Sequence, residues 1–549
     1  MSRRFRWLTL LLLLAMPVQA DEPHHGLPGP GNDTVPLFDN LGSYHHPITT
    51  SSPLAQRYFD QGLRLVYAFN HDEAIRAFRE AARLDPDCAM AQWGVALALG
   101  PNYNLALDAE HNQAAYEAAQ RAQALAPKAS EAERAYIEAV GKRYSVEPGA
   151  DRKALDRAYA DAMRQVAHRY PDDPDAATLF AEALMDLRPW DLWTLDGEPQ
   201  PGTLEIAATL EAVLAKYPEH PGANHYYIHV MEASPRPERA LPSAQRIAEL
   251  EPGAGHLVHM PSHIYMRLGR YADAAEANRR AIGVDLQYLA RVKPEGIYPM
   301  MYYPHNIHFL WAAASMEGRS QEALQAARDV VKHLNPEMVE QMPMLEAYTP
   351  TLLFALVRFG KWQEVLQEPA PPAGQRYTTG IWHYARGLAL AATGRAAQAG
   401  AEQARVGAIA KEIPADRIIG DNTPAATLLQ LAAETLAGEI AARSGQPDRG
   451  IRHLEEAVRL QDGLPYTEPP PWYYPVRQSL GAVLLQAGRA AQAEAVYRED
   501  LRRNPHNGWS LYGLAASLRA QKGKDAGPVE QEYRQAWAHA DVTLTASRF

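Results

Sequence analysis

Residues 56–86 read QRYFDQGLRLVYAFNHDEAIRAFREAARLDP, and this stretch decides the fold. Gly62 lies in one helical pattern, while Ala74, Phe78 and Ala81 recur at helical spacing in a second, which Pro86 closes. Small residues at such positions let two helices approach closely, so the stretch predicts a helix–turn–helix unit. His71-Asp72-Glu73 opens the second helix, where the two acids favour the helix start more than they suggest catalysis.

The same frame recurs along the chain. Ala240, Ala244 and Pro252 mark one later second helix, and Ala274 and Ala281 mark the next. Leu-Gly-Arg-Tyr (268–271), Glu-Gly-Arg (317–319), Phe-Gly-Lys-Trp (359–362), Thr-Gly-Arg (393–395), Ser-Gly-Gln (444–446) and Ala-Gly-Arg (487–489) each fall at an inter-helix turn. Glycine suits those turns because they need a left-handed backbone. About twelve units follow, beginning near residues 55, 89, 130, 174, 221, 255, 304, 346, 380, 431, 474 and 508, with no alternating strand pattern between them. The set resembles the tetratricopeptide repeat (TPR) family, whose period is about 34 residues. That resemblance implies an all-α protein, an α-solenoid over residues 52–549 in which each unit packs on its neighbours. It also implies a concave groove, lined by the first helix of each unit, that takes a peptide, partner protein or small molecule. His-His-Pro-Ile-Thr-Thr (45–50) and Phe-Asn-His-Asp-Glu-Ala (69–74) further resemble a group of long exported bacterial repeat proteins that carry no assigned activity.

Three insertions interrupt the period. Residues 186–202 carry Trp190 and Trp193, residues 285–303 carry four tyrosines, and residues 464–475 carry Trp472 among prolines. Such loops either cover apolar helix ends or act as lids and groove fillers.

The first residues read as a secretory signal. Arg3, Arg4 and Arg6 precede the apolar stretch Trp7 to Met16, and Val18-Gln19-Ala20 offers a cleavage site. The apolar run is about half of the ~20 residues a spanning helix needs. The expectation is therefore an exported protein, periplasmic or secreted, with no stable membrane insertion after cleavage. A Pro/Gly-rich leader, residues 21–51, follows with the pairs His24-His25 and His45-His46. The three arginines are the only charges in residues 1–20, so the net charge of −11 becomes −14 from Asp21 onward. So acidic a chain, without a basic cluster, is a poor partner for nucleic acid. Cys88 is the only cysteine, which leaves no internal disulfide and no thiolate metal cage; its apolar setting suits a small buried packing residue.

Function concentrates in the histidines. His225-x-x-x-His229 and His259-x-x-x-His263 lie one 34-residue period apart, and His305 and His308 follow in the next unit. Two histidines four apart stack on one face of a helix, which suits joint ligation of a metal ion. In the repeat frame His308 matches His225 and His259, while His305 matches His256. The expected metal ligands are His225, His229, His259, His263, His308 and Glu182. His256, His305, Glu138, Glu232, Arg134, Tyr265, Trp190, Trp193 and Trp472 are expected around them in the groove. Imidazole with carboxylate suits Zn, Fe, Mn or Cu. The histidine set serves metal handling and metal-dependent chemistry alike. A scaffold that binds a peptide or partner protein in the groove, without metal, is the alternative. His-Glu-x-x-His, Gly-x-Ser-x-Gly and a phosphate-binding glycine loop are all absent from the sequence.

Overall fold

The computed structural model describes residues 35–549 apart from Asn335, Asp421, Gly523 and Lys524. The expected signal segment and the part of the leader with His24 and His25 lie outside the described residues. The described chain is an array of twelve antiparallel helix pairs. The first four are Pro53–Tyr67 with His71–Leu84, Ala89–Ala98 with Ala109–Leu125, Glu131–Val140 with Arg152–Arg169, and Pro174–Met185 with Thr203–Lys216. Pro221–Glu232 then pairs with Leu241–Leu250, Gly255–His259 and Pro261–Arg267 pair with Tyr271–Val292, and Tyr303–Met316 pairs with Ser320–His333. The remaining pairs are Thr351–Arg358 with Trp362–Gln367, Arg376–Ala392 with Ala396–Glu412, and Ala425–Arg443 with Pro447–Asp462. Arg477–Gln486 with Ala490–Arg503 and Gly508–Ala520 with Gly527–Ala536 complete the array. Among the described residues the strands amount to one short antiparallel pair, with Ile418 opposite Pro424 and Ile419 opposite Thr423.

Local chemistry explains the pairs. Phe78 is fully buried between Gly62 and Gly94, where an added Cβ would come within 2.6 and 2.4 Å of its ring. Glycine there gives a large side chain room between three helices, and burying such a side chain stabilises by about 1.5–3 kcal/mol. The six turn glycines Gly269, Gly318, Gly360, Gly394, Gly445 and Gly488 all have φ between 63° and 79°, the left-handed conformation their turns require. Cys88 is buried and unpaired, and burial pushes its thiol up to about 11.

Long-range packing departs from an open groove. The first pair folds across onto the fifth: an added Cβ on Gly222 would meet the Tyr67 ring at 2.4 Å. Beside it the Gly253 N–H donates to the Asn40 carbonyl at 2.7 Å. Near the C-terminal end, Trp509 Nε1 donates to the Ser315 carbonyl at 3.0 Å and Tyr271 Oη to the Pro505 carbonyl at 3.1 Å. The expected concave groove is thus filled by the array itself at the histidine-bearing units. The repeat frame specifies how neighbours stack, whereas these contacts join residues more than 150 positions apart.

The second insertion is also more ordered than a loop. Its first part, through Val292, continues the preceding helix, and Tyr298–Tyr302 forms a π-helical turn that runs into Tyr303–Met316. The leader straps the early units together. Tyr44 Oη donates to Asp175 Oδ2 at 2.8 Å, His46 Nδ1 meets the same oxygen at 2.7 Å, and Thr49 N donates to Glu133.

Candidate metal centre

Three successive first helices carry the histidines. Pro221 occupies the first turn of the helix Pro221–Glu232, where its missing N–H is not needed. The His220 ring accepts from the Ala223 N–H at 3.1 Å and caps that turn. His225 and His229 then fall one turn apart on one face, as do His259 and His263 on the next first helix. All four are 0–1% exposed, and His256 is 2% exposed.

The rings gather into two clusters of three. His225, His229 and His256 form one; His259, His263 and His305 form the other. Within each, one ligand nitrogen per ring lies within 4.8 Å of the other two. The clusters are the same arrangement repeated. An i, i+4 pair on one first helix is completed by a single histidine from the next first helix, and each member of the first cluster has its frame equivalent in the second. His256 reaches back so that its Nε2 lies 3.1 Å from His225 Nε2, and His305 Nε2 reaches back to His259 Nε2 at 3.2 Å. His259 Nε2 and His263 Nε2 are 2.8 Å apart.

Acceptors on the far side fix four of the rings. His225 Nδ1 lies 2.6 Å from the Tyr67 carbonyl, one of the carbonyls that the end of Pro53–Tyr67 leaves without a helical partner. His259 Nδ1 faces Asn278 Oδ1 at 2.7 Å, and the Asn278 amide is oriented by donating to the Ala274 carbonyl at 2.8 Å. Glu232 serves both clusters: Oε1 takes His229 Nδ1 at 2.8 Å and Oε2 takes His263 Nδ1. Each Nδ1 therefore keeps its hydrogen, which leaves Nε2 as the accepting nitrogen wherever the ring is neutral. Carboxylate or carbonyl partners on the remote nitrogen are what orient imidazoles for a metal.

The electrostatics agree. Burial, reinforced by neighbouring imidazoles, holds His225, His256, His259 and His305 well below the ordinary histidine range. Burial lowers His229 too, with Glu232 opposing it. At His263 burial also disfavours charge, but the Glu232 carboxylate outweighs it and raises the ring. Although burial opposes it, the facing rings hold Glu232 down to about 2. Among the described residues, His229 Nε2 and His256 Nδ1 are buried without a hydrogen-bond partner. A buried polar atom left so costs about 1–3 kcal/mol.

Aromatic side chains seal the centre. Phe69 stacks on His229 and His256 with centroids 5.9 and 5.5 Å apart and tilts over His225 at 4.5 Å. Tyr103 and Trp190 stand 5.2 and 6.0 Å from His229, and Tyr302 stands 4.9 Å from His256. Phe309 closes the second cluster, 4.9 Å from His259 and 5.0 Å from His263. His305, only partly buried, is the most solvent-accessible member. It is steadied through its neighbour Asn306, whose amide donates to Asp285 Oδ2 at 2.7 Å, while Tyr298 Oη donates to Oδ1 at 2.8 Å.

Several expected residues fall elsewhere. His256 and His305, expected beside the ligands, join the clusters, while His308 does not. In a coiled array each first helix is offset from the last, so the column of His305 reaches back to the preceding pair. His308 instead packs on Trp311 and Tyr348 at 4.8 and 4.9 Å. Glu182 lies outside both imidazole sets, beside Asp186 and the buried Arg143 guanidinium, where charge compensation holds it. Arg134 and Glu138 are exposed, Arg134 donating to the Ala129 carbonyl at 2.7 Å. Tyr265 lies under the Arg270 guanidinium at 4.5 Å. Trp193 donates to the Val230 carbonyl at 2.7 Å, a strut behind the helix of His225 and His229. Trp472 is buried against Phe354 and Tyr384 in a separate aromatic nest.

The sequence reading missed Phe69, Tyr103, Asn278, Phe309 and Glu468. Asn278 had a signal, a polar residue one turn after Ala274 on a helix face otherwise kept for alanine. Glu468 comes from the third insertion. Its carboxyl is buried, which pushes it up to about 7 although the charge of His263 pulls the other way. The third group with ligand-type atoms, His46, Asp173 and Asp175, has its carboxylates saturated by hydrogen bonds from Tyr44, Tyr67, Tyr136 and His220. It acts as a structural knot.

No known family's sequence pattern matches the chain, and no curated protein sequence does. Solved helical-repeat structures resemble it distantly. A human IFIT1 dimer with m7Gppp-AAAA aligns at 12% identity over 90% of this chain and 92% of that one, with a TM-score of 0.35. The P58(IPK) TPR domain aligns at 12% identity over 85% and 98%, with a TM-score of 0.23. Yeast Tom70 aligns at 11% identity over 87% and 90%, with a TM-score of 0.29.

Proposed function

We propose that this chain is a metal-binding TPR-like repeat protein that holds transition-metal ions in its buried histidine centre. One observation carries the reading. His225, His259 and His263 have their Nδ1 hydrogens committed to fixed acceptors while their Nε2 atoms face other imidazoles, and His229, its Nδ1 held the same way, keeps a buried Nε2 without a partner among the described residues. At His259 and His263, where both Nδ1 hydrogens are committed, the Nε2 lone pairs face one another at 2.8 Å and repel unless a cation stands between them. Two nitrogens on one ion at about 2.1 Å each lie roughly 3.0–3.4 Å apart, close to the spacings here. In the metal-free chain a proton between His259 and His263 fills that need in part, and metal binding displaces it.

A peptide in the groove is the weaker reading. Five of the imidazoles are at most 2% exposed, so a peptide would first have to displace Phe69, Tyr103, Trp190 and Tyr302. Export, expected from the N-terminus, fits a protein that takes metal outside the cytoplasm.

The test is metal content. The protein purified from its native compartment, without added chelator, is measured by mass spectrometry. At least one equivalent of transition metal is expected. Less than about a tenth of an equivalent, both as purified and after incubation with Zn, Cu, Fe or Mn, would overturn the proposal.

A further inference from the structure

Resting on that reading, we infer that the histidine centre is dinuclear and takes a pair of copper ions, three imidazoles to each. The juxtaposition is the reason. The two three-histidine clusters are not distant copies, because rings from one pack directly on rings of the other. His229 and His263 have centroids 5.6 Å apart, and His256 and His259 stack at 5.8 Å. Glu232 holds the remote nitrogens of His229 and His263 with its two oxygens, so one carboxylate orients a ring in each cluster. A single ion cannot use all six rings, since only within each cluster do the ligand atoms lie within 4.8 Å of one another. Two ions can, one per cluster, as neighbours across the stacked rings.

The donor set selects the element. Both clusters are built of imidazole alone. The thiol of Cys88 is elsewhere, and no carboxylate belongs to either set. Imidazole suits Zn, Cu, Fe and Ni, whereas Mn and Mg call for carboxylate oxygens, and affinity at such sites peaks at copper. Charge sharpens the choice. Two divalent ions bring four positive charges into a buried space where Glu232 is the carboxylate hydrogen-bonded to the ligand rings. Burying uncompensated charge is costly. Copper alone of these metals is stable as a monovalent ion, which halves the charge, and three neutral nitrogens are a fitting set for it. The aromatic seal of Phe69, Tyr103, Trp190, Tyr302 and Phe309 further lowers local polarity and favours the lower charge.

The whole chain, stripped with chelator and dialysed, is titrated with Cu(I) under exclusion of oxygen and its copper counted by mass spectrometry. A second sample is loaded with Cu(II) and its paramagnetic resonance signal integrated. Two copper ions per chain are expected. With the second equivalent the Cu(II) signal should broaden and gain a half-field transition, because two spins on neighbouring ions couple through space. The double variants His225→Gln/His229→Gln and His259→Gln/His263→Gln should each keep one ion with about one spin. Two ions whose signal shows neither that broadening nor the half-field transition in the unaltered chain would overturn the pair. One ion in total, lost equally in both variants, would also overturn it while leaving the metal-binding reading intact. Two tightly bound zinc ions that excess copper does not displace would overturn the copper assignment. Failure to bind any metal would defeat both proposals. The count and the spin signal of the unaltered chain decide the matter even if a variant does not fold.

Discussion

Phe69 stands in the first helix pair where Gly269 stands in the sixth, and both backbones are left-handed, with φ of 53° and 71°. The turn hydrogen bonds match: Phe69 N to Val66 O and Asn70 N to Leu65 O, against Gly269 N to Met266 O and Arg270 N to Tyr265 O. A bulky residue in that conformation is a true outlier and costs about 1–2 kcal/mol. The first turn accepts the strain where six later turns use glycine, and its ring roofs the histidines. Strain concentrated beside a candidate site is the pattern functional sites show.

Phe69→Gly should therefore relieve the backbone yet destabilise the protein. Emptying a buried phenylalanine site costs about 3–5 kcal/mol, so a net loss of about 2–3 kcal/mol is expected in denaturant unfolding. Carbethoxylation mapped by mass spectrometry should then reach His225, His229 and His256, which the parent protects. Unchanged protection would show that Phe69 is not the roof.

The turn glycines should separate into two classes. At Gly269 an added Cβ would sit 2.1 Å from the Pro505 carbonyl oxygen, whereas at Gly488 nothing lies within 4 Å. Gly488→Ala should cost only the left-handed conformation, about 1–2 kcal/mol. Gly269→Ala should cost at least about 1 kcal/mol more, because backbone must move and the contact between the sixth and last pairs must loosen. Paired urea titrations measure the difference, and equal costs would mean that this contact is not formed in solution.

The fold was legible because it is local. Gly62 with Phe78, and the glycine at each later turn, encode a helix pair within about 34 residues, and repetition multiplies the signal. The site was legible in part for the same reason: His225/His229 and His259/His263 declare themselves by a helical spacing repeated at the period. Other assignments needed geometry that the frame does not hold. Whether His305 or His308 turns toward His259 depends on the offset between successive helices, which the repeat spacing alone does not give. Phe69 reaches His225 only because the first pair folds across the fifth. Glu182 shares a repeat column with the histidines, but the fourth pair turns that column toward Arg143.

Glu232→Gln tests the shared outer support. The amide matches the carboxylate in size, so the fold should hold. Its one oxygen can accept from only one ring, and its NH2 faces the N–H of the other. Outer partners of ligating histidines are worth on the order of 10–100-fold in metal affinity. Competition with a chromophoric chelator should show a loss of that size, and in a two-ion centre both binding steps should weaken. Asn278→Ala, which frees only His259, should weaken one. Affinity unchanged in Glu232→Gln would mean that Glu232 plays no part in orienting the rings.

The leader strap should loosen as pH rises. His46 is held between Asp175, Asp173 and Asp60, with Phe59 and Tyr136 against it, and although burial opposes the charge these carboxylates raise it to about 9. A histidine raised in the folded state from about 6.5 contributes stability that is fully present below pH 6.5 and is lost as pH climbs through 9. The shift corresponds to about 2–3 kcal/mol once partial solvent contact is allowed for. Asp175, held below the usual carboxylate range by the facing imidazoles against its burial, acts oppositely: its contribution is lost as the medium turns strongly acidic. The strap should thus be tightest between about pH 4 and 6.5. Amide exchange at His46, Ile48 and Thr49, whose N–H groups donate to Asp60, Gln56 and Glu133, reports it directly. After correction for intrinsic rates, their protection should fall between pH 6.5 and 9.5. His46→Gln should start lower and stay flat, because an amide keeps a hydrogen bond to Asp175 but carries no charge to lose. Equal slopes in parent and variant would mean that another group opens the strap.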